Sequence, residues 1–164
     1  MGIDVGSINF AIVILEKSII ETTILYSNTV TVSSPTSINA ITISRKLRQL
    51  LLPLIIEYKI THIAIEKQPW YLFRNSAAHI TCANIVIESL LLVFVNEAKE
   101  IGFYFMSIAS NTWHKYVKFK GKKTIAKYRG YTKEYHDNYC VDISVLKDVH
   151  QHDALFIALA LYYQ

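Results

Sequence analysis

Cysteine, glycine and proline are scarce in this chain, and each shortage removes a class of structure. Only 2 cysteines occur among 164 residues, and Cys82 and Cys140 lie 58 positions apart, which fits no metal or redox spacing. They are expected to be free thiols in an intracellular, reducing compartment, the cytoplasm or a viral replication site. With 5 glycines and 3 prolines there is no low-complexity tract, repeat or linker, so residues 1–164 are read as a single domain. Charge is also thin, at 18% against 52% hydrophobic residues, which excludes a disordered chain. Long apolar runs are missing too: the greasiest stretch, "NIVIESLLLVFVNEAKE", is interrupted by Glu88, Ser89 and Asn96. It reads as a buried amphipathic helix and not as a membrane span. No basic segment precedes the first apolar run, so no secretory signal is expected, and Gly6 stands where myristoylation wants Ser or Thr.

Acids are absent from one region altogether. From Lys115 to Lys133 the bases are Lys115, Lys118, Lys120, Lys122, Lys123, Lys127, Arg129 and Lys133, with no Asp or Glu among them. The overall net charge of +4 therefore divides into this block and a remainder with nine bases against thirteen acids. Together with Trp113, Tyr116, Phe119, Tyr128 and Tyr131, the block has the composition of a phosphate-contacting surface. A solvated loop that keeps an apolar protein in solution is the alternative.

What is present is a succession of strand and helix patterns. "MGIDV" and "NFAIVILEK" read as strands across a tight turn, and "SIIETTILYSNTV" as a third, giving an antiparallel meander. "INAITISRKLRQLLLPLIIEYK" has helical spacing, with Pro53 expected to kink or divide it. "THIAIE" is a short buried strand, a long helix is expected from about Ser76 to Glu100 with Gly102 as its stop, and "FYFMSI" is a fifth strand. In "TKEYHDNYC" Thr132 offers a helix cap, and "VHQHDALFIALALYYQ" is an apolar helix. The order β-β-β-α-β-α-β-α implies an α/β fold: a five-stranded mixed sheet with helices on both faces.

Three acids stand where apolar elements should exclude them. Asp4 is flanked by Ile3 and Val5, Glu66 ends "THIAIE", and Asp153 lies near the start of the last helix. His150, three residues earlier, projects about 60° from Asp153, whereas His152 is turned about 100° away. Each has an ordinary reading: Asp4 bonded to turn amides, Glu66 paired with Lys67, Asp153 at a helix dipole, His150 a cap or surface histidine. Brought together, the carboxylates would repel unless divalent cations lay between them, and oxygen ligands suit Mg²⁺ or Mn²⁺.

The segments "GIDVGSINFAIVILE", "IAIEKQPWYLFRNSAA", "GYTKEYHDNY" and "HQHDALFIALAL", in that order, resemble the RuvC-like branch of the RNase H superfamily. Its Holliday-junction resolvases, bacterial and viral of the poxvirus type, are nearest in length. The resemblance implies two metal ions per site held by Asp4, Glu66, His150 and Asp153, with Lys133 as the family's basic residue. His150 replaces an aspartate common at that place, which lowers the site's negative charge and favours Mn²⁺. It implies hydrolysis of DNA phosphodiesters to 5′-phosphate and 3′-hydroxyl ends, and paired symmetric nicks by a homodimer that meets along the long second helix. Trp70, Tyr71 and Phe73, directly after Glu66, would stack on unpaired bases, or else pack beneath the neighbouring helix. Lys115, Lys118, Lys120, Lys122, Lys123, Lys127 and Arg129 would hold flanking phosphates. Alternatives are a nuclease for RNA–DNA hybrids, flaps or forks, and a dimeric DNA-binding module without turnover. "DVGS" also fits the phosphate loop of actin-like ATPases, but 164 residues are too few for their paired lobes, so no nucleotide cofactor is expected.

Overall fold

The β-branched runs around the first turn do form strands. In a computed structural model that describes residues 1–34, 36–68, 78–97, 102, 104–109, 112–113 and 139–162, they are β1 (Gly2–Asp4), β2 (Asn9–Lys17) and β3 (Thr22–Thr31). β2 pairs antiparallel with both β1 and β3, as the short connections require. β4 (His62–Lys67) lies parallel to β1 and β5 (Tyr104–Ala109) parallel to β4, giving the order β3-β2-β1-β4-β5. Parallel neighbours need long crossovers, and α1 (Ala40–Glu57) and α2 (Ala78–Glu97) supply them. α3 (Val149–Ala160) completes the element order read from the sequence.

Side-chain alternation divides the core into two layers. Phe10, Ile12 and Ile14 of β2 join Ile3, Ile63 and Ile65 beneath α1 and α2. Ala11, Val13 and Leu15, together with Ala64 and Ile108, face α3 on the other side. Ile3 belongs to the first layer, so Gly2 and Asp4 turn towards α3. α3 is seated unusually close: a Cβ on Gly2 would collide with the Ala154 carbonyl oxygen and the Ala158 backbone nitrogen, and would lie 2.8 Å from the Ala158 Cβ. Only glycine permits that approach.

Several local expectations are corrected. β1 ends at Asp4 instead of running through it, which moves the carboxylate from mid-strand to the strand's carboxyl end. α1 is not divided at Pro53, because Pro53 and Gln49 lie on the exposed side, where water can satisfy the carbonyl that loses its donor. Gly102 has φ +83, the left-handed conformation expected of a helix stop. Thr132 lies outside the described residues. Cys82 and Cys140 are both free and exposed. Among the described residues no helix is long and apolar enough to cross a membrane.

The contact between β1 and α3 generates a prediction. Gly2→Ala should lower stability by about 1–3 kcal/mol through over-packing, read as a reduced urea midpoint. An unchanged midpoint would mean that α3 does not rest on the backbone of β1.

Candidate active site

Asp4 and Glu66 reach the same end of the sheet for one reason. The pairing of Gly2 with Ala64 and Ile3 with Ile65 leaves them at equivalent positions at the carboxyl ends of adjacent parallel strands. Both take the parity of Gly2 and Ala64, and so turn to the face that α3 covers. The first turn of α3 then supplies the third group. Asp148 is its N-cap, accepting from the Gln151 amide at 2.9 Å. This corrects the ordinary reading of Asp153, which lies in the second turn and does not serve the helix N-terminus.

His150 Nδ1 lies 3.0 Å from Asp4 Oδ2. Asp4 and Asp153 are both buried, whereas the His150 side chain is 37% exposed and forms the outer edge of the group. The hydrogen bond to Asp4 raises the His150 pKa above its ordinary value; burial opposes this, and the charges of Asp4, Asp148 and Asp153 add to it. On its other side Nε2 stands 3.5 Å from Asn9 Nδ2, and Asn9 Oδ1 accepts from the Thr31 hydroxyl at 3.1 Å. The imidazole is thus set between the carboxyl end of β1 and the paired ends of β2 and β3. His152 is fully buried in the core, as its 100° rotation requires.

Glu66 is partly buried and is met by protein donors. Trp113 Nε1 donates to Oε1 at 3.2 Å, and Gln68 Nε2 approaches Oε2 at 3.5 Å. Trp113 is a correction: grouped with the basic surface from sequence, it is 1% exposed and stacks on Phe156 of α3, with ring centroids 6.4 Å apart. Its position just after β5 brings the indole under Glu66, a role that composition could not reveal. Lys133, Trp70, Tyr71, Phe73, Lys115, Lys118, Lys120, Lys122, Lys123, Lys127 and Arg129 lie outside the described residues.

The donor set suits a hard divalent ion in kind. It suits one in spacing at one point. Adjacent corners of an octahedron with bonds of about 2.1 Å stand about 3.0 Å apart, the separation of His150 Nδ1 and Asp4 Oδ2. An ion in place of the shared proton would not require those two atoms to separate. A finished cage is not present: among the described residues, no three His, Cys, Asp or Glu side chains stand close enough to hold an ion.

No protein-family model and no curated protein matches the sequence. Solved structures do match in shape. T. thermophilus RuvC in complex with a Holliday junction substrate gives a TM-score of 0.69 at 17% identity, covering 99% of this chain and 90% of that one. Another structure of Thermus thermophilus RuvC gives 0.65 at 19% identity, covering 99% and 92%. The yeast mitochondrial Holliday junction resolvase Ydc2 gives 0.65 at 16% identity, covering 97% and 76%. None of these three is a poxvirus protein. The chain has the RuvC-type, RNase H-like α/β fold.

The pair at the centre of the site has a measurable signature. In metal-free buffer His150 should titrate above 6.5, and Asp4→Asn should bring it down, as followed by NMR of the imidazole. The sign for stability follows from the raised folded-state pKa. The contribution is complete below the unfolded value, and it is lost as pH rises through the folded value. A His150 titration indifferent to Asp4→Asn would mean that the two side chains do not meet.

Proposed function

We propose that this protein is a divalent-metal-dependent endodeoxyribonuclease that resolves four-way DNA junctions by paired, symmetric nicks. One observation carries the reading: Asp4 and His150, distant in sequence, meet at 3.0 Å at the carboxyl end of the central strand. Asp153 lies one turn further along the same helix, and Glu66 lies at the equivalent end of the next strand. The fold supports the reading, because two of its structural neighbours are a RuvC bound to Holliday junction DNA and a mitochondrial Holliday junction resolvase.

Asp4, Glu66, His150 and Asp153 are the residues that would hold Mg²⁺ or Mn²⁺, two ions per site. When bound, such ions supply charge stabilisation at the phosphate and lower the pKa of a water. The chain's own groups have distinct tasks. Burial of Asp4 and Asp153 lowers the dielectric around their oxygens and would strengthen their attraction for the cations they hold. Asp4 orients the His150 ring through Nδ1, leaving Nε2, which stands 3.5 Å from Asn9 Nδ2, as the position that takes up or releases a proton. Lys133 would oppose charge on the scissile phosphate, and Trp70, Tyr71 and Phe73 would stack on unpaired bases at the branch. The basic residues from Lys115 to Arg129 would hold the flanking duplex, with affinity falling steeply in salt.

Symmetric nicking needs a twofold dimer. α2 offers a face for one: Val86, Leu90 and Val93 recur at helical spacing and are 42%, 36% and 53% exposed, next to Ile41 of α1 at 64%.

Two outcomes test the proposal. Asp4→Asn should reduce cleavage of a synthetic four-way junction at least a hundredfold while binding changes by less than about threefold. EDTA should abolish cleavage by the unaltered protein. Cleavage of an RNA–DNA hybrid in preference to the junction would transfer the protein to a different nuclease class. Separately, Val86→Lys with Val93→Glu should convert a dimer to a monomer in sedimentation; an unaltered sedimentation coefficient would remove α2 from the interface.

A further inference from the structure

α2 carries a polar pair that the proposed chemistry does not use. Glu88 is a carboxylate only 7% exposed, and Asn84 lies one turn before it on the same face. They point away from the exposed stripe of Val86, Leu90 and Val93, towards the sheet. Glu88 Oε2 accepts from the backbone amide of Gln68 at 2.8 Å, and Oε1 accepts from the Ser107 hydroxyl at 3.2 Å. Asn84 Oδ1 accepts from the backbone amide of Ser7 at 2.7 Å, and its Nδ2 donates to Gln68 Oε1 at 3.4 Å. Gln68 Nε2 in turn approaches Glu66 Oε2 at 3.5 Å.

The bonds run from one helix to the two segments that carry the acids of the adjacent strands. Ser7 is in the turn three residues beyond Asp4, and Gln68 is two residues beyond Glu66. The paired register of β1 and β4 ends at Ile3 and Ile65, one residue short of Asp4 and Glu66. Past that point, Asn84 joins the two chains by binding the Ser7 amide and the Gln68 side chain together. Glu88 fixes the Gln68 backbone and ties it to β5 through Ser107. A buried carboxylate bonded to an amide and a hydroxyl is costly to place and rigid once satisfied. Such a group belongs where position matters.

We infer that Asn84 and Glu88 are positioning residues: they clamp the β1–β2 turn to the end of β4 and thereby hold Asp4 and Glu66 at the spacing the site needs. The inference rests on the nuclease reading for its kinetic consequence, though not for the clamp itself. It also places the proposed dimer helix one side chain away from each strand end, so that α2 serves the partner surface with one face and the catalytic acids with the other.

The test compares Asn84→Ala, Glu88→Ala and Glu88→Gln with Leu91→Ala, a fully buried core residue of the same helix outside the clamp. Glutamine keeps an acceptor for the Gln68 amide and can donate to the Ser107 oxygen, so it is the rescuing variant. Asn84→Ala and Glu88→Ala should lower single-turnover cleavage at least tenfold and raise the Mg²⁺ concentration for half-maximal rate several-fold, with junction Kd within about twofold. Glu88→Gln should remain within about threefold of the unaltered protein. Leu91→Ala should lower Tm without changing the Mg²⁺ dependence of the folded fraction. Hydrogen exchange at the Ser7 amide in Asn84→Ala, and at the Gln68 amide in Glu88→Ala, should accelerate at least tenfold. Exchange unchanged in both would overturn the clamp. Faster exchange with cleavage and Mg²⁺ dependence unchanged would leave a merely structural contact and overturn the positioning role. Glu88→Gln as defective as Glu88→Ala would overturn it as well, since charge and not position would then be what matters. If the unaltered protein cleaves no junction, the nuclease reading fails, and the exchange rates still decide the clamp.

Discussion

α3 lies against β1 with no side chain between them at Gly2, and the placement of His150 relative to Asp4 follows from that contact. The Ala154 carbonyl and the Ala158 amide occupy the space where a Cβ would be. The helix is consequently fixed in height and rotation over the strand. Two residues beyond Gly2 the strand presents Asp4, and one turn before Ala154 the helix presents His150. Their side chains meet at 3.0 Å. A helix held further away by one methyl group would lengthen the contact between His150 and Asp4.

The burial pattern explains why polar groups are tolerated there. Asp4 is desolvated on an apolar sheet but has an imidazole partner, Glu66 has an indole N–H, and Glu88 has an amide and a hydroxyl. These three carboxylates each have a donor, which is the condition for burying one at tolerable cost. The same condition distinguishes the acids by use. Glu88 is bonded to backbone and to a neighbouring strand, as a structural group is. Asp4 is bonded to a half-exposed histidine, a partner that can turn away or exchange its proton.

Much of this architecture was legible in the residues. β-branched runs gave the strands, helical spacing gave α1 and α2, and an aspartate, a glutamate and a histidine–aspartate pair at the edges of apolar segments marked the site. The turn of about 100° between His152 and Asp153 made His152 the poorer partner, and it is His150 that meets Asp4 while His152 is buried. Other features were not readable, for physical reasons. The end of β1 at Asp4 depends on where pairing with β2 stops, which is a property of two strands together. Pro53 within α1 is tolerated because of the direction its side of the helix faces. Asp148, the cap of α3, is by contrast readable from its place directly before the apolar run at Val149. Trp113 was counted with nearby aromatics and bases, but the parallel alignment of β5 with β4 carries it inward beneath Glu66. Glu88 was noticed only as a break in an apolar run. Its partners, Gln68 just past the end of β4 and Ser107 in β5, become neighbours only in the folded sheet.

The central claim is that Asp4, Glu66, His150 and Asp153 act as one divalent-cation site built where β1, β4 and α3 converge. Anomalous diffraction from crystals soaked in Mn²⁺ measures it most directly. The account predicts anomalous density bonded to Asp4, with His150 or Asp153 and Glu66 turned in to complete the coordination, and its loss in Asp4→Asn. Well-ordered crystals with no Mn²⁺ between these side chains at saturating concentration, or with the ion bound elsewhere and indifferent to Asp4, would contradict it.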